Sequence, residues 1–215
     1  MGERAGTNPY HRGMTASSPD FSPASPHGSA DVLLLHASRF GQSVAIAEAL
    51  ATDLRAAGWR CTLARVQDVA ASTDLARHRA VVIVASIRYG HFDRAVHTLV
   101  AARAAELAAT VGVFVSVNLT ARKPDKRTPQ TNAYTRKFLA FAEQRGWRPA
   151  FCEVVAGALR YPRYGFFDKR MIQFIMKLTG GETDTAREVE YTDWEQVRGL
   201  AQRLAERLAQ DGSRR

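Results

Sequence analysis

The hexapeptide Ser86-Ile87-Arg88-Tyr89-Gly90-His91 gathers a hydroxyl, a guanidinium, a phenol and an imidazole around one glycine. It directly follows the apolar run Ala80-Val81-Val82-Ile83-Val84-Ala85. A flat aromatic in a loop at the end of a buried strand offers stacking area to a ring system. A second polar set, His36-Ala37-Ser38-Arg39-Phe40-Gly41-Gln42-Ser43, follows Val32-Leu33-Leu34-Leu35. The hydroxyls of Ser38 and Ser43, with the N–H groups of Arg39 to Ser43, would make an anion cradle at a helix N-terminus. Gly41 would let the backbone approach the anion closely. The plainer alternative for this segment is a polar strand-to-helix turn with a serine cap. Neither GxxxxGK[ST] nor GxGxxG is present, so a monophosphate fits better than a pyrophosphate. A third loop, Ser116-Val117-Asn118-Leu119, follows Val111-Gly112-Val113-Phe114-Val115.

These loops need a frame. Apolar patterning predicts strands at 32–35, 59–66, 80–85, 111–115 and 151–159. Helices are expected from about 43, over 93–108, over 132–145 and from 192. Gly58 is placed to end the first helix in the left-handed conformation. Thr192-Asp193-Trp194-Glu195 reads as a capping box, with Trp194, Val197, Ala201, Leu204 and Leu208 as the buried face beyond it. Five strands alternating with helices imply a doubly wound five-stranded parallel sheet, and order 2-1-3-4-5 is favoured. In that order all three loops fall at the carboxyl ends of neighbouring strands, where open α/β sheets bind ligands. A phosphate cradle beside two ring-gripping loops points to a flavin.

The bulk properties bound the alternatives. The chain has 215 residues and 46% hydrophobic content, enough for one domain at about 31–210 with a substantial core. Residues 1–30, rich in Pro, Ser, Gly and His, read as a disordered tail without an apolar signal core. No apolar run reaches the length of a membrane-spanning helix. Cys61 and Cys152 lie in apolar strands without CxxC spacing, which suits reduced, buried thiols in a cytoplasm. The formal charge of +9 favours anionic partners. No helix-turn-helix, zinc-finger or RNP signature is present, so nucleic acid is not expected. No acid–base constellation stands out as catalytic. His36, His91 and His97 read as structural or exposed, and no metal site is expected.

Four segments carry a more specific likeness: SIRYGH, SVNLTARKPDKRTPQTNAYTRKFL, AGALRYPRYGFFDKRMIQFIMKLTGGETDT and YTDWEQV. Over about residues 31–208 the chain resembles the menaquinone-dependent protoporphyrinogen IX dehydrogenase family of the flavodoxin superfamily. The resemblance implies a flavodoxin-like fold, bound FMN, and oxidation of protoporphyrinogen IX to protoporphyrin IX in haem biosynthesis, with electrons passed to a membrane quinone. It also implies cofactor-binding residues by position. The phosphate loop would be Ser38, Arg39, Phe40, Gly41, Gln42 and Ser43. The ring would be held by Ser86, Ile87, Arg88 and Tyr89, by Phe114, Val115, Ser116, Val117 and Asn118, and by Asp184 and Thr185 in a nearby turn. Phe40 departs from the small polar residue often found in flavodoxin-type loops. Its ring cannot bond a phosphate, a loss of about 1.5–3 kcal/mol against a charge-assisted bond. Flavin chemistry would also account for the lack of a catalytic residue, since the cofactor takes the electrons.

An insert at about 160–185 precedes the last helix. Phe167, Met171, Phe174, Ile175 and Leu178 share one helical face, and Arg170, Gln173 and Lys177 share another. Such a helix would lie on an anionic membrane surface, or else pack on its own domain. The Arg122-Lys123-Pro124-Asp125-Lys126-Arg127 loop could pair with porphyrin propionates or lipid phosphates, or stay solvated. The expected location is the cytoplasm, peripheral on the inner face of the cell membrane, with a homo-oligomer open. The alternatives are a flavodoxin-like electron carrier or an NAD(P)H:quinone reductase.

Overall fold

The computed structural model describes residues 31–38, 40–160, 170, 177, 184 and 188–212. The tail at 1–30 and most of the insert lie outside the described residues, as do Arg39 and Thr185. Five strands form the parallel sheet: β1 (Val32–Ala37), β2 (Cys61–Arg65), β3 (Ala80–Arg88), β5 (Val111–Asn118) and β6 (Phe151–Ala156). They lie in the order β2-β1-β3-β5-β6, which is 2-1-3-4-5 when the parallel strands alone are counted. A two-residue strand, β4 (His91–Phe92), pairs antiparallel with the end of β3.

The sheet buries both faces, and the period of two along each strand assigns alternate residues to separate cores. Val32, Leu34, Val82, Val84, Val113, Val115 and Val117 meet α1 (Gln42–Ala56) and α4 (Trp194–Gly212). Leu33, Leu35, Val81, Ile83 and Phe114 meet α2 (Arg94–Ala108) and α3 (Ala133–Gln144) on the other side. The α4 face of Trp194, Val197, Ala201, Leu204 and Leu208 is buried as its spacing predicts. Gly112 is required by packing: a Cβ there would stand 2.6 Å from Trp147 Nε1, with the indole fully buried against the strand.

The helix ends follow local chemistry. Gly58, at φ 89°, closes α1: its N–H donates to Arg55 O and that of Trp59 to Leu54 O. This pair of bonds satisfies carbonyls that the last turn leaves open. Asp93 caps α2 through its carboxylate, which accepts from Ala95 N–H at 2.8 Å. Asn132 caps α3, accepting from Thr135 N–H.

Four boundaries differ from the sequence expectation. β3 runs on to Arg88 and turns back at Tyr89-Gly90, so Ser86, Ile87 and Arg88 are strand residues and the loop is a two-residue hairpin turn. β5 likewise runs to Asn118, which makes Ser116, Val117 and Asn118 strand. The expected 151–159 strand breaks at Gly157. After it, β7 (Ala158–Arg160) leaves the main sheet and pairs antiparallel with β8 (Glu188–Glu190). Finally, Asp193 rather than Thr192 caps α4, accepting from the N–H groups of Glu195 and Gln196 at 3.1 and 3.2 Å. Thr192 donates instead to Ala156 O at 2.9 Å, and Glu195 pairs with Arg198.

Candidate functional site

Strand register sets three polar segments side by side. Ala37 pairs with Ala85, Ala85 with Ser116 and Ser86 with Val117, so the ends of β1, β3 and β5 reach one level of the sheet. Ser86 Oγ donates to Ala37 O at 3.3 Å and ties the first two together.

At the end of β1 the chain turns into α1 with little help from side chains. Gly41 is the N-cap residue at φ 92°, a left-handed conformation that favours glycine, and no side chain caps the helix. Ser38 Oγ accepts from Gly41 N–H at 3.0 Å and braces the turn. The first intrahelical bond runs from Ala45 N–H to Gly41 O at 3.0 Å. The N–H groups of Gln42, Ser43 and Val44 therefore point out of the helix without an intrahelical acceptor. Ser43 is fully buried, and its Oγ has no hydrogen-bond partner among the described residues. An orphaned buried hydroxyl at an uncapped helix N-terminus is the arrangement an anion completes. Ser43 is thus not the cap, and its hydroxyl is left over.

Two side chains of the same segment face elsewhere. Phe40 joins Leu119, Val189 and Tyr191 in a small cluster around the buried Leu159. Gln42 Nε2 donates to Thr192 Oγ1 at 2.8 Å and to Glu190 Oε1 at 3.0 Å. Each can offer an anion only its backbone N–H. Glu190, at the end of β8, and Thr192, just beyond it, were not legible as partners of this segment.

The other segments divide by depth. Phe114 and Val115 are fully buried below the edge: Phe114 stacks on Phe138 at 4.2 Å, and Val115 faces the opposite core. Their side chains do not reach the site. Ser116 and Asn118 belong to a closed polar network. Ser116 Oγ accepts from Thr135 Oγ1 at 2.7 Å and from Asn118 Nδ2 at 3.1 Å. Asn118 Oδ1 accepts from Thr120 Oγ1, Ala121 N–H and Asn132 Nδ2 at 2.6, 3.1 and 3.2 Å. Arg88 and Tyr89 remain at the surface. The Arg88 guanidinium lies 4.6 Å from the Tyr89 ring centroid and donates to its hydroxyl at 3.2 Å. Asp184 is exposed.

Burial biases three titratable groups of the domain toward their neutral forms. Burial lowers the pKa of His36, with Arg65 adding to the shift. Burial lowers that of His97 too, with His91 and Lys137 adding. The Cys152 thiol is pushed up to about 12 by burial, which removes it as a nucleophile.

An open parallel sheet with an anion-ready helix start at its first strand defines a flavodoxin-like α/β protein. A family model described as a flavodoxin domain matches residues 33–186. Over 173 residues the chain is 49% identical to an Escherichia coli (strain K12) protein curated as protoporphyrinogen IX dehydrogenase [quinone], covering 80% of this chain and 93% of that one. A Leishmania major protein of the same name is 47% identical over 174 residues, covering 80% of this chain and 74% of that one. The crystal structure of a WrbA-like flavodoxin from Agrobacterium tumefaciens aligns at a TM-score of 0.49 and 14% identity, covering 85% of this chain and 99% of that one. The chain belongs to the flavodoxin-domain family, in the branch of oxidoreductases curated as protoporphyrinogen IX dehydrogenase [quinone]. Membership indicates a flavin cofactor, and the orphaned Ser43 hydroxyl at the uncapped α1 start fits its phosphorylated end.

Proposed function

We propose that this protein oxidises protoporphyrinogen IX to protoporphyrin IX for haem biosynthesis, using bound FMN and delivering the electrons to a membrane quinone. The observation that carries the reading is Ser43 Oγ, buried and without a partner among the described residues, beside the uncapped start of α1. One phosphate would satisfy these donors together, which favours a mononucleotide. FMN, when bound, supplies two-electron redox chemistry. The chain supplies the rest. Ser38 braces the turn, Ser43 and the α1 amides bind the phosphate, and Ser86 to Tyr89 with Ser116 to Asn118 shape the ring pocket, chiefly through backbone groups. The family resemblance also assigns Asp184 and Thr185 to the cofactor.

The stoichiometry balances over three turnovers. The porphyrinogen loses six hydrogens in all, as six electrons and six protons, and three quinones become three hydroquinones. No nicotinamide is required, because the chain has no dinucleotide fingerprint. The basic insert would bring the site to the membrane. Its described cations, Arg170 and Lys177, are both exposed, and their spacing of seven would suit one face of a helix.

The test is anaerobic. Protoporphyrinogen IX should bleach the flavin absorbance, and a menaquinone or ubiquinone analogue should restore it with porphyrin fluorescence rising. Bleaching by NAD(P)H and not by protoporphyrinogen would instead assign a quinone reductase.

A further inference from the structure

Among the described residues two large hydrophobic side chains stand exposed, Tyr89 at 49% and Tyr134 at 38%. They come from segments 45 positions apart in sequence, yet they flank one glycine. A Cβ built on Gly90 would lie 3.2 Å from Tyr134 Cε1, so the Tyr134 ring rests against the backbone of the residue that follows Tyr89. Gly90 has φ 81°, and Tyr89 has φ 49°, the one non-glycine positive φ among the described residues. A tyrosine held in that region is strained, and such strain collects where a side chain must be aimed.

The platform sits on rigid supports. Tyr134 is in the first turn of α3, whose cap Asn132 is buried and bonds the Asn118 carboxamide oxygen, Thr120 Oγ1 and the Lys126 carbonyl at 3.1–3.2 Å. That last bond also fixes the basic 122–127 loop beside the start of α3. Arg88 lies over Tyr89. The result is an aromatic step carrying a guanidinium. Such a surface complements a flat apolar ring with anionic arms, because the rings give stacking area and a guanidinium binds a carboxylate.

We propose that Tyr134, together with Tyr89, forms the docking face for the tetrapyrrole, with Arg88 receiving a propionate. This rests on the function proposed above and assigns Tyr134 to the substrate rather than to the cofactor. Gly90 keeps the step open, since any side chain there would push against the Tyr134 ring.

The holoprotein can be titrated with protoporphyrin IX, the stable product, following porphyrin fluorescence anisotropy. Tyr134→Ala should weaken binding about tenfold, and Tyr134→Phe, which keeps the ring, should stay within about twofold of wild type. Flavin content should be the same in all three. Arg88→Gln should weaken binding of the diacid but not of protoporphyrin dimethyl ester. Tyr134→Ala that binds the porphyrin like wild type overturns the assignment, as does one that loses flavin or raises only the KM for quinone. If the wild-type protein fails to oxidise protoporphyrinogen, the proposed function falls first. If it succeeds and Tyr134→Ala binds unchanged, the platform alone falls.

Discussion

Ser43 and Ser116 are both fully buried serines at the carboxyl edge of one sheet, and their hydroxyls are in opposite conditions. Ser116 Oγ takes two hydrogen bonds from within the protein, and its neighbours Asn118, Asn132 and Thr135 are satisfied in turn. Ser43 Oγ has none among the described residues. A buried hydroxyl without a partner costs about 1–3 kcal/mol, a cost that the phosphate proposed above would offset. The β5 end stabilises the fold and positions α3. The β1 end, on that proposal, is completed by an anion.

The comparison breaks most visibly at Asn118. Asn118→Ala removes the acceptor of three donors and strands them in the interior. We expect a loss of about 3 kcal/mol or more in urea unfolding of the flavin-free protein. A loss under about 1 kcal/mol would mean that the network is not closed in solution. At the other end, Ser43→Ala removes a buried hydroxyl that has no partner among the described residues, so flavin-free stability should hold or rise, by up to about 1–3 kcal/mol. Flavin retention on purification should fall sharply, because one charge-assisted bond of about 1.5–3 kcal/mol is lost. Equal losses of stability at Ser43 and Asn118 would erase the distinction.

Two smaller effects sharpen it. Arg170→Gln with Lys177→Gln should reduce binding to anionic liposomes by about 1 kcal/mol per charge at low salt, leaving flavin content unchanged. Liposome binding that ignores both changes would return the insert to packing on its own domain. His97 packs its ring against Phe138 and Phe141 behind the β5 network, and its pKa is lowered in the folded state, chiefly by burial. The unfolded chain therefore binds the proton more readily. This contribution to stability is complete above the unfolded pKa of about 6.5 and is lost as pH falls below it. The thermal midpoint should drop between about pH 7.5 and about pH 5.5, and by less in His97→Gln. An identical drop in the variant would place the titration elsewhere, as at His36.

The strand order was legible because continuous apolar runs such as 80–85 have no other comfortable place than a sheet covered on both faces. The loop segments were placed at the right strands, but their boundaries were not. Ser86-Ile87-Arg88 is polar enough to pass for loop; Ser86 is held as strand by Val117 of β5, and Ile87 and Arg88 by a two-residue strand too short for any period. Thr192 and Asp193 are adjacent residues of equal capping talent, and the distant Ala156 carbonyl and Gln42 amide decide between them. The contrast between Ser43 and Ser116 had no sequence signal either. The hydroxyl that closes the Ser116 network comes from Thr135, and Asn132 contributes beside it. No described residue offers Ser43 a partner.

The most direct test compares FMN with riboflavin, which lacks the phosphate, on wild type and on Ser43→Ala. If the β1 end is an unfinished anion site, wild type should bind FMN far more tightly than riboflavin. Ser43→Ala should then narrow that gap by roughly tenfold or more while leaving riboflavin affinity unchanged. Equal affinity of wild type for the two flavins, or an equal loss of both in the variant, would contradict the account.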